Sequence, residues 1–157
     1  MKALGDSHTA YDVMREYMII GAELDGKYQI PMLDRYTGHP GEDTVDFKDS
    51  FSLKIKNHRK LTVNFYIHDY EFEKIWNNPD RYLEHLKCFH SVIGPDFSMA
   101  VGENGMPFAM NIYQKYRNHA LSHYLSMNGI KVIPNVSIPP EYCYDWAFDG
   151  VPKRSTV

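Results

Sequence analysis

The sequence predicts an α/β fold, one domain whose mostly parallel sheet is flanked by helices in β-α-β units. Three observations predict it. Short β-branched and aromatic runs at 61–67, 91–93 and 130–136 alternate with helical periodicity at 72–89 and 109–127. The separations between these runs are long enough for the crossovers that parallel strands need. A chain of 157 residues, 43% hydrophobic and 24% charged, fits one core and lies far from the composition of disordered chains.

Residues 1–26 read as an N-terminal helix and lead-in. Tyr11, Met14, Met18 and Ala22 share one helical face, and Gly21 and Gly26 punctuate the exit. The run Tyr28 to Leu33 is apolar, and Pro31 suits an edge strand. Residues 34–50 have no period and read as a surface loop. Phe51 to Ile55 alternates like a half-exposed strand, and Leu61 to Ile67 reads as a stronger, central one. Phe72, Ile75 and Trp76 form a helical face that Pro79 interrupts, and Tyr82, Leu83 and Leu86 continue on a second helix. Cys88, beside Phe89, is expected as a small core filler.

Ser91 to Ile93 is a short buried strand. A long helix follows, with Ala109, Ile112, Tyr113, Tyr116, Ala120, Tyr124 and Met127 on its apolar face and Asn128-Gly129 closing it. Ile130 to Val136 is the next strand. Tyr142, Tyr144 and Trp146 fall in a short helix or turn, and Ser155-Thr156-Val157 reads as the opening of a further strand. The fold is therefore expected to be shortened at its C-terminus, with a sheet edge left short or completed by a second copy.

Charge and cysteine usage exclude several classes. A net charge of −3 provides no overall field towards phosphate backbones or anionic lipid, so non-specific nucleic-acid binding is not expected. Lys54, Lys56, Arg59 and Lys60 are a local exception, read either as a basic site or as a solvated loop edge. Cys88 and Cys143 form neither a disulfide framework nor a zinc knuckle. No apolar run approaches the roughly 20 residues of a membrane span, so no membrane association and a cytoplasmic location are expected. The chain lacks G-x-G-x-x-G, a Walker A lysine motif, G-x-S-x-G and H-E-x-x-H, so no cofactor is required.

The runs Asn64 to Glu73, Trp76 to Pro79, Pro95-Asp96-Phe97-Ser98, Gly129 to Asn135 and Phe148 to Pro152 together resemble domain-of-unknown-function family 4417, found in bacteria and bacteriophages. The resemblance spans about Ile30 to Thr156 and implies an α/β fold, carriage on phages and mobile elements, and no established activity. Members of that family usually read Asn-x-Tyr-Arg-x-Arg on the long helix. Gln114, Tyr116, Arg117 and His119 hold those places here, so a two-arginine anion clamp would lack its second guanidinium.

Ligands of parallel sheets gather outside the carboxyl ends of the strands. There the sequence places His68 and Asp69 after one strand, Asp96 and Ser98 after the next, Asn135 after the last, and Asp149 in the final loop. Tyr116 and Arg117 are candidates from the long helix, with Tyr70 and Trp146 as stacking surfaces. Four of these have a structural alternative: helix capping for Asp69, turn bracing for Asp96 and Asp149, a helix-pinning ion pair for Arg117. His119 and His123 have zinc-like spacing, but with no Glu pattern between them and no nearby Cys they read as a solvent-facing stripe.

The expected function is a phage or mobile-element binding protein that captures a small anionic ligand, such as a nucleotide, or a host protein. The alternative is a hydrolase of phosphoester or glycosidic bonds using Asp69, Asp96 and Asp149, with room for a divalent metal. Self-association into a homo-oligomer is an open option for either.

Overall fold

In the computed structural model, which describes residues 12–137 and 140–157, the chain forms a small antiparallel pair and a four-stranded parallel sheet. The pair joins β1 (Leu24–Asp25) to β2 (Ile30–Pro31), with Pro31 at an edge, where its missing N–H costs no ladder bond. The larger sheet runs β3 (Asp43–Asp46), β4 (Leu61–Asn64), β5 (Ser91–Ile93) and β6 (Val132–Ile133) in sequence order. Three helices fill the crossovers: α1 (Asp69–Asn77) and α2 (Asp80–Leu86) between β4 and β5, and α3 (Phe108–Met127) between β5 and β6. A short α4 (Tyr144–Ala147) follows β6.

The register explains how such short strands hold together. Val45, Val63, Val92 and Val132 face one another across the sheet, one per strand, and the last three are buried. On the alternate positions Thr62 and Ser91 are partners, and their buried hydroxyls bond each other at 2.8 Å. Gly41 closes over this row: its N–H donates to Thr62 Oγ1 at 2.7 Å, and a Cβ there would stand 2.4 Å from the Lys60 carbonyl oxygen.

Residues just past the strands supply the aromatic core. Phe47 stacks on Phe65 at 4.9 Å, Phe65 meets Phe72 at 5.3 Å, and Phe72 meets Phe97 at 4.7 Å. All four rings are fully buried, at roughly 1.5–3 kcal/mol each relative to exposure.

Several expected elements come out differently. Strand β3 lies inside the 34–50 stretch expected as a surface loop; its Asp43 and Asp46 masked the pattern, because an edge strand needs few apolar residues to reach the core. The expected strand Phe51 to Ile55 is instead a 3-10 turn (Asp49–Phe51) followed by irregular chain. Phe51 and Leu53 are exposed there, so alternation had no core to face. Part of the expected N-terminal helix lies outside the described residues. Its described part is a 3-10 turn, Glu16–Ile19, preceded by Arg15 at φ 50° and followed by Gly21 at φ 79°. Cys88 is exposed rather than a core filler, while Cys143 is buried. Near the C-terminus no strand forms, but the Thr156 N–H donates to the Tyr36 carbonyl at 2.7 Å and the Tyr36 N–H to Ser155 Oγ at 3.0 Å.

Candidate functional site

The strand order never reverses, so the sheet has no switch point at which loops part to opposite faces. Any site at the carboxyl edge must be walled by other elements, and here α3 and α4 do that work.

At that edge Asp69 and Asp96 stand close enough to repel. Asp69, in the first turn of α1, accepts from the Ser98 hydroxyl at 2.8 Å and from the Ser98 N–H at 3.1 and 3.2 Å. The α1 N-terminus is closed instead by Glu71, which accepts from the His68 N–H at 3.3 Å. Asp96 accepts from Asn135 Nδ2 at 3.0 Å, and the Tyr66 hydroxyl donates to Asn135 Oδ1 at 3.3 Å. Burial first, and then the Asp69 charge, raise the Asp96 carboxyl above its ordinary value, while bonds from Asn135 and Ser137 oppose the rise.

Helix α3 buries a polar strip at three- and four-residue spacing: Asn111, Lys115, Asn118 and Ser122, with Gln114 and His119 beside them. The reason is what faces it. Irregular loops carry N–H and C=O groups that no ladder satisfies, and α3 supplies their partners. Asn118 accepts from the Phe97 N–H at 2.7 Å and donates to the Phe97 carbonyl at 3.2 Å. Asn111 does the same for Ala100, at 2.9 and 3.1 Å.

Between this strip, the chain leaving β6 and α4 lies a cavity of about 230 Å³, lined among others by Lys115, His119, Asn135, Ser137 and Trp146. Lys115 is buried at 4% exposure; it donates to the Ala147 carbonyl at 2.8 Å and to His119 Nε2 at 3.3 Å. Those roles follow from His119 Nδ1, 2.9 Å from the Pro31 carbonyl, which can only accept; Nδ1 therefore carries the proton and Nε2 the lone pair. Burial, helped by the Lys115 charge, lowers His119 to about 3, so it is neutral. Burial also lowers Lys115 to about 8, against the opposing pull of Asp149 and Asp25. Asp149 is raised, first by burial and then by Asp25, and among the described residues its Oδ2 is buried with no hydrogen-bond partner.

Gly150 makes this packing possible. At φ 74° a Cβ would stand 2.6 Å from the Pro31 carbonyl oxygen and 2.7 Å from His119 Nδ1. The Gly150 N–H donates to Asp25 at 2.9 Å, tying the last loop to β1.

The structure thus brings Asp69, Asp96, Ser98 and Asn135 together at the rim, and Asn135 and Trp146 into the cavity wall. It sets Asp149 apart from the other two acids, beside Asp25 and Lys115. His68 and Tyr70 stack on each other at 5.5 Å, with Tyr70 78% exposed. Tyr116 points away from the cavity and donates to the Met14 carbonyl at 2.7 Å. Arg117 pins α3 to α1: it pairs with Glu73 at 2.5 Å, donates to Gln114 at 3.1 Å and lies 3.6 Å over the Phe97 ring. His119 and His123 bond different carbonyls, of Pro31 and Ile20, and no group of three or more His, Cys, Asp or Glu able to hold a metal occurs among the described residues. Sequence reasoning missed Lys115, Asn118 and Ser137. The signal for the first two was the polar periodicity of α3, hidden behind its apolar one.

The fold and these walls define an α/β domain with a lysine-containing cavity at the carboxyl edge of a parallel sheet. The chain belongs to the family described as Domain of unknown function (DUF4417), which matches residues 22–157. It is 35% identical over 95 residues to the Gene 1 protein of Mycobacterium phage L5, covering 60% of this chain and 40% of that protein. It is 32% identical over 95 residues to the Gene 1 protein of Mycobacterium phage D29, covering 60% and 34%. The chain therefore spans well under half the length of these curated relatives. No solved structure matches it. No described helix is long and apolar enough to cross a membrane.

Proposed function

We propose that this chain is a phage or mobile-element binding domain that captures a small anionic ligand in the carboxyl-edge cavity. The observation that carries the reading is Lys115. It is a buried cation with no carboxylate within ion-pair distance among the described residues, and two of its three N–H donors are occupied by neutral acceptors. A buried charge left this way is costly, and an anion would relieve the cost. Trp146 supplies an apolar wall, while Asn135 and Ser137 supply polar contacts, as small-ligand sites commonly do.

A thermal-shift screen of nucleotides, inorganic phosphate and small carboxylates tests the reading. A rise in midpoint that Lys115→Met abolishes is the expected result. No rise with any of them would leave a host protein as the partner.

The hydrolase alternative draws support from the burial of Asp96 and, after it, the Asp69 charge, which together raise the Asp96 carboxyl as a general acid would require. Against it, Asp69 is taken up by Ser98 and Asp149 belongs to another group. A midpoint that responds to Mg²⁺ or Mn²⁺ and loses that response in Asp96→Asn would favour hydrolysis.

A further inference from the structure

We infer that the amino edge of the parallel sheet, opposite the cavity, is a contact surface for the phosphate backbone of a single nucleic-acid strand. Parallel strands put the residues preceding each of them on one edge. Arg59 and Lys60 precede β4, Lys87 to His90 precede β5, and Lys131 precedes β6. Asp46 ends β3, and Asp69 and Asp96 come after β4 and β5, so these acids lie at the other edge. A chain of net charge −3 is therefore polarised, with cations concentrated where the overall charge conceals them.

The cations also share a concavity. Arg59, Lys87 and Lys131 line a groove of about 310 Å³, together with Phe89, His90 and Ile130. Arg59, Lys87 and Lys131 are exposed. Arg59 and Lys131 have no ion pair among the described residues, nor have Lys54 and Lys56 on the adjoining loop. Glu42, Asp43 and Glu84 are acids near this edge, and Asp43 has no ion pair among the described residues. Glu42 is paired with Lys60 at 2.9 Å and Glu84 with Lys87 at 2.7 Å. The Lys87 pair is solvent-exposed and weak, so its ammonium is free to exchange to a phosphate. Guanidinium and ammonium groups spaced along a groove, with no acid set between them in it, match a chain of phosphates.

The test is fluorescence anisotropy with a labelled single-stranded oligonucleotide of about 20 nucleotides. Three phosphate contacts imply an affinity about 20-fold weaker at roughly 200 mM than at roughly 50 mM salt. The double variant Arg59→Gln/Lys131→Gln, confirmed folded by its melting curve, should bind more weakly and lose only about 3-fold over that range. Lys115→Met should bind the strand like the wild type, which separates this surface from the carboxyl-edge cavity. The inference is overturned by no binding at low salt, by an unchanged double variant, by loss of binding in Lys115→Met, or by equal affinity for anionic lipid vesicles.

Discussion

Replacing Lys115 by methionine separates the cost of burying its charge from the packing of its stem. Burial lowers the ammonium from 10.5 to about 8. At 1.36 kcal/mol per pH unit, that drop means the folded state carries a penalty of about 3 kcal/mol wherever both states are protonated, below pH 8. Methionine removes the penalty and keeps most of the volume, but it leaves the Ala147 carbonyl without its donor, costing about 1–3 kcal/mol. At pH 6.5 the variant should therefore be about 1 kcal/mol more stable, a rise of roughly 2–4 °C in midpoint. The pH dependence is the sharper signature. The folded value lies below the unfolded one, so between pH 8 and 10.5 the unfolded chain holds the extra proton and wild-type stability climbs with pH. The variant should lose its lead there and end about 2 kcal/mol behind. Urea unfolding of both proteins from pH 6.5 to 10.5 measures the difference. A gap independent of pH, or a variant destabilised at pH 6.5, would refute a costly buried cation without an ion-pair partner and with it the best argument for an anionic ligand.

His119 is lowered to about 3, so below pH 6.5 the unfolded chain binds a proton that the folded one refuses; wild-type stability should fall by about 1.4 kcal/mol per pH unit there, and His119→Asn should flatten that slope in acid unfolding curves. Gly150→Ala forces a Cβ against Pro31 and His119 at positive φ and should cost at least about 2 kcal/mol in urea unfolding. Arg117→Lys should cost about 1–3 kcal/mol by losing charge-assisted bonds to Glu73 and the stack on Phe97, while leaving ligand-induced thermal shifts unchanged. Asn118→Ala strands both backbone groups of Phe97 and should cost about 2–4 kcal/mol by the same measurement.

The rim was legible from sequence because parallel strands impose a rule on chain order. Whatever follows each strand arrives at one edge, and Asp69, Asp96, Ser98 and Asn135 did so. The same rule applied to the residues before each strand would have grouped Arg59, Lys87 and Lys131. Arg117 was legible as a cation near the helix centre, but its partner was not, since Glu73 lies 44 residues away on another helix. The burial of Lys115 and His119 is obscured in the sequence because the apolar periodicity of α3 marks a different face from the one that turns inward.

Local sequence by itself determined the β-α-β alternation, the break at Pro79, the Gly129 stop and the edge placement of Pro31. Each depends on backbone chemistry confined to a few neighbouring residues. Tertiary structure alone decided which face of α3 turns inward and what surrounds it. Loops with unsatisfied backbone groups demanded polar partners, and that demand exists only once distant segments have come together. The buried lysine, the tautomer of His119 and the separation of Asp149 from the other acids all follow from it.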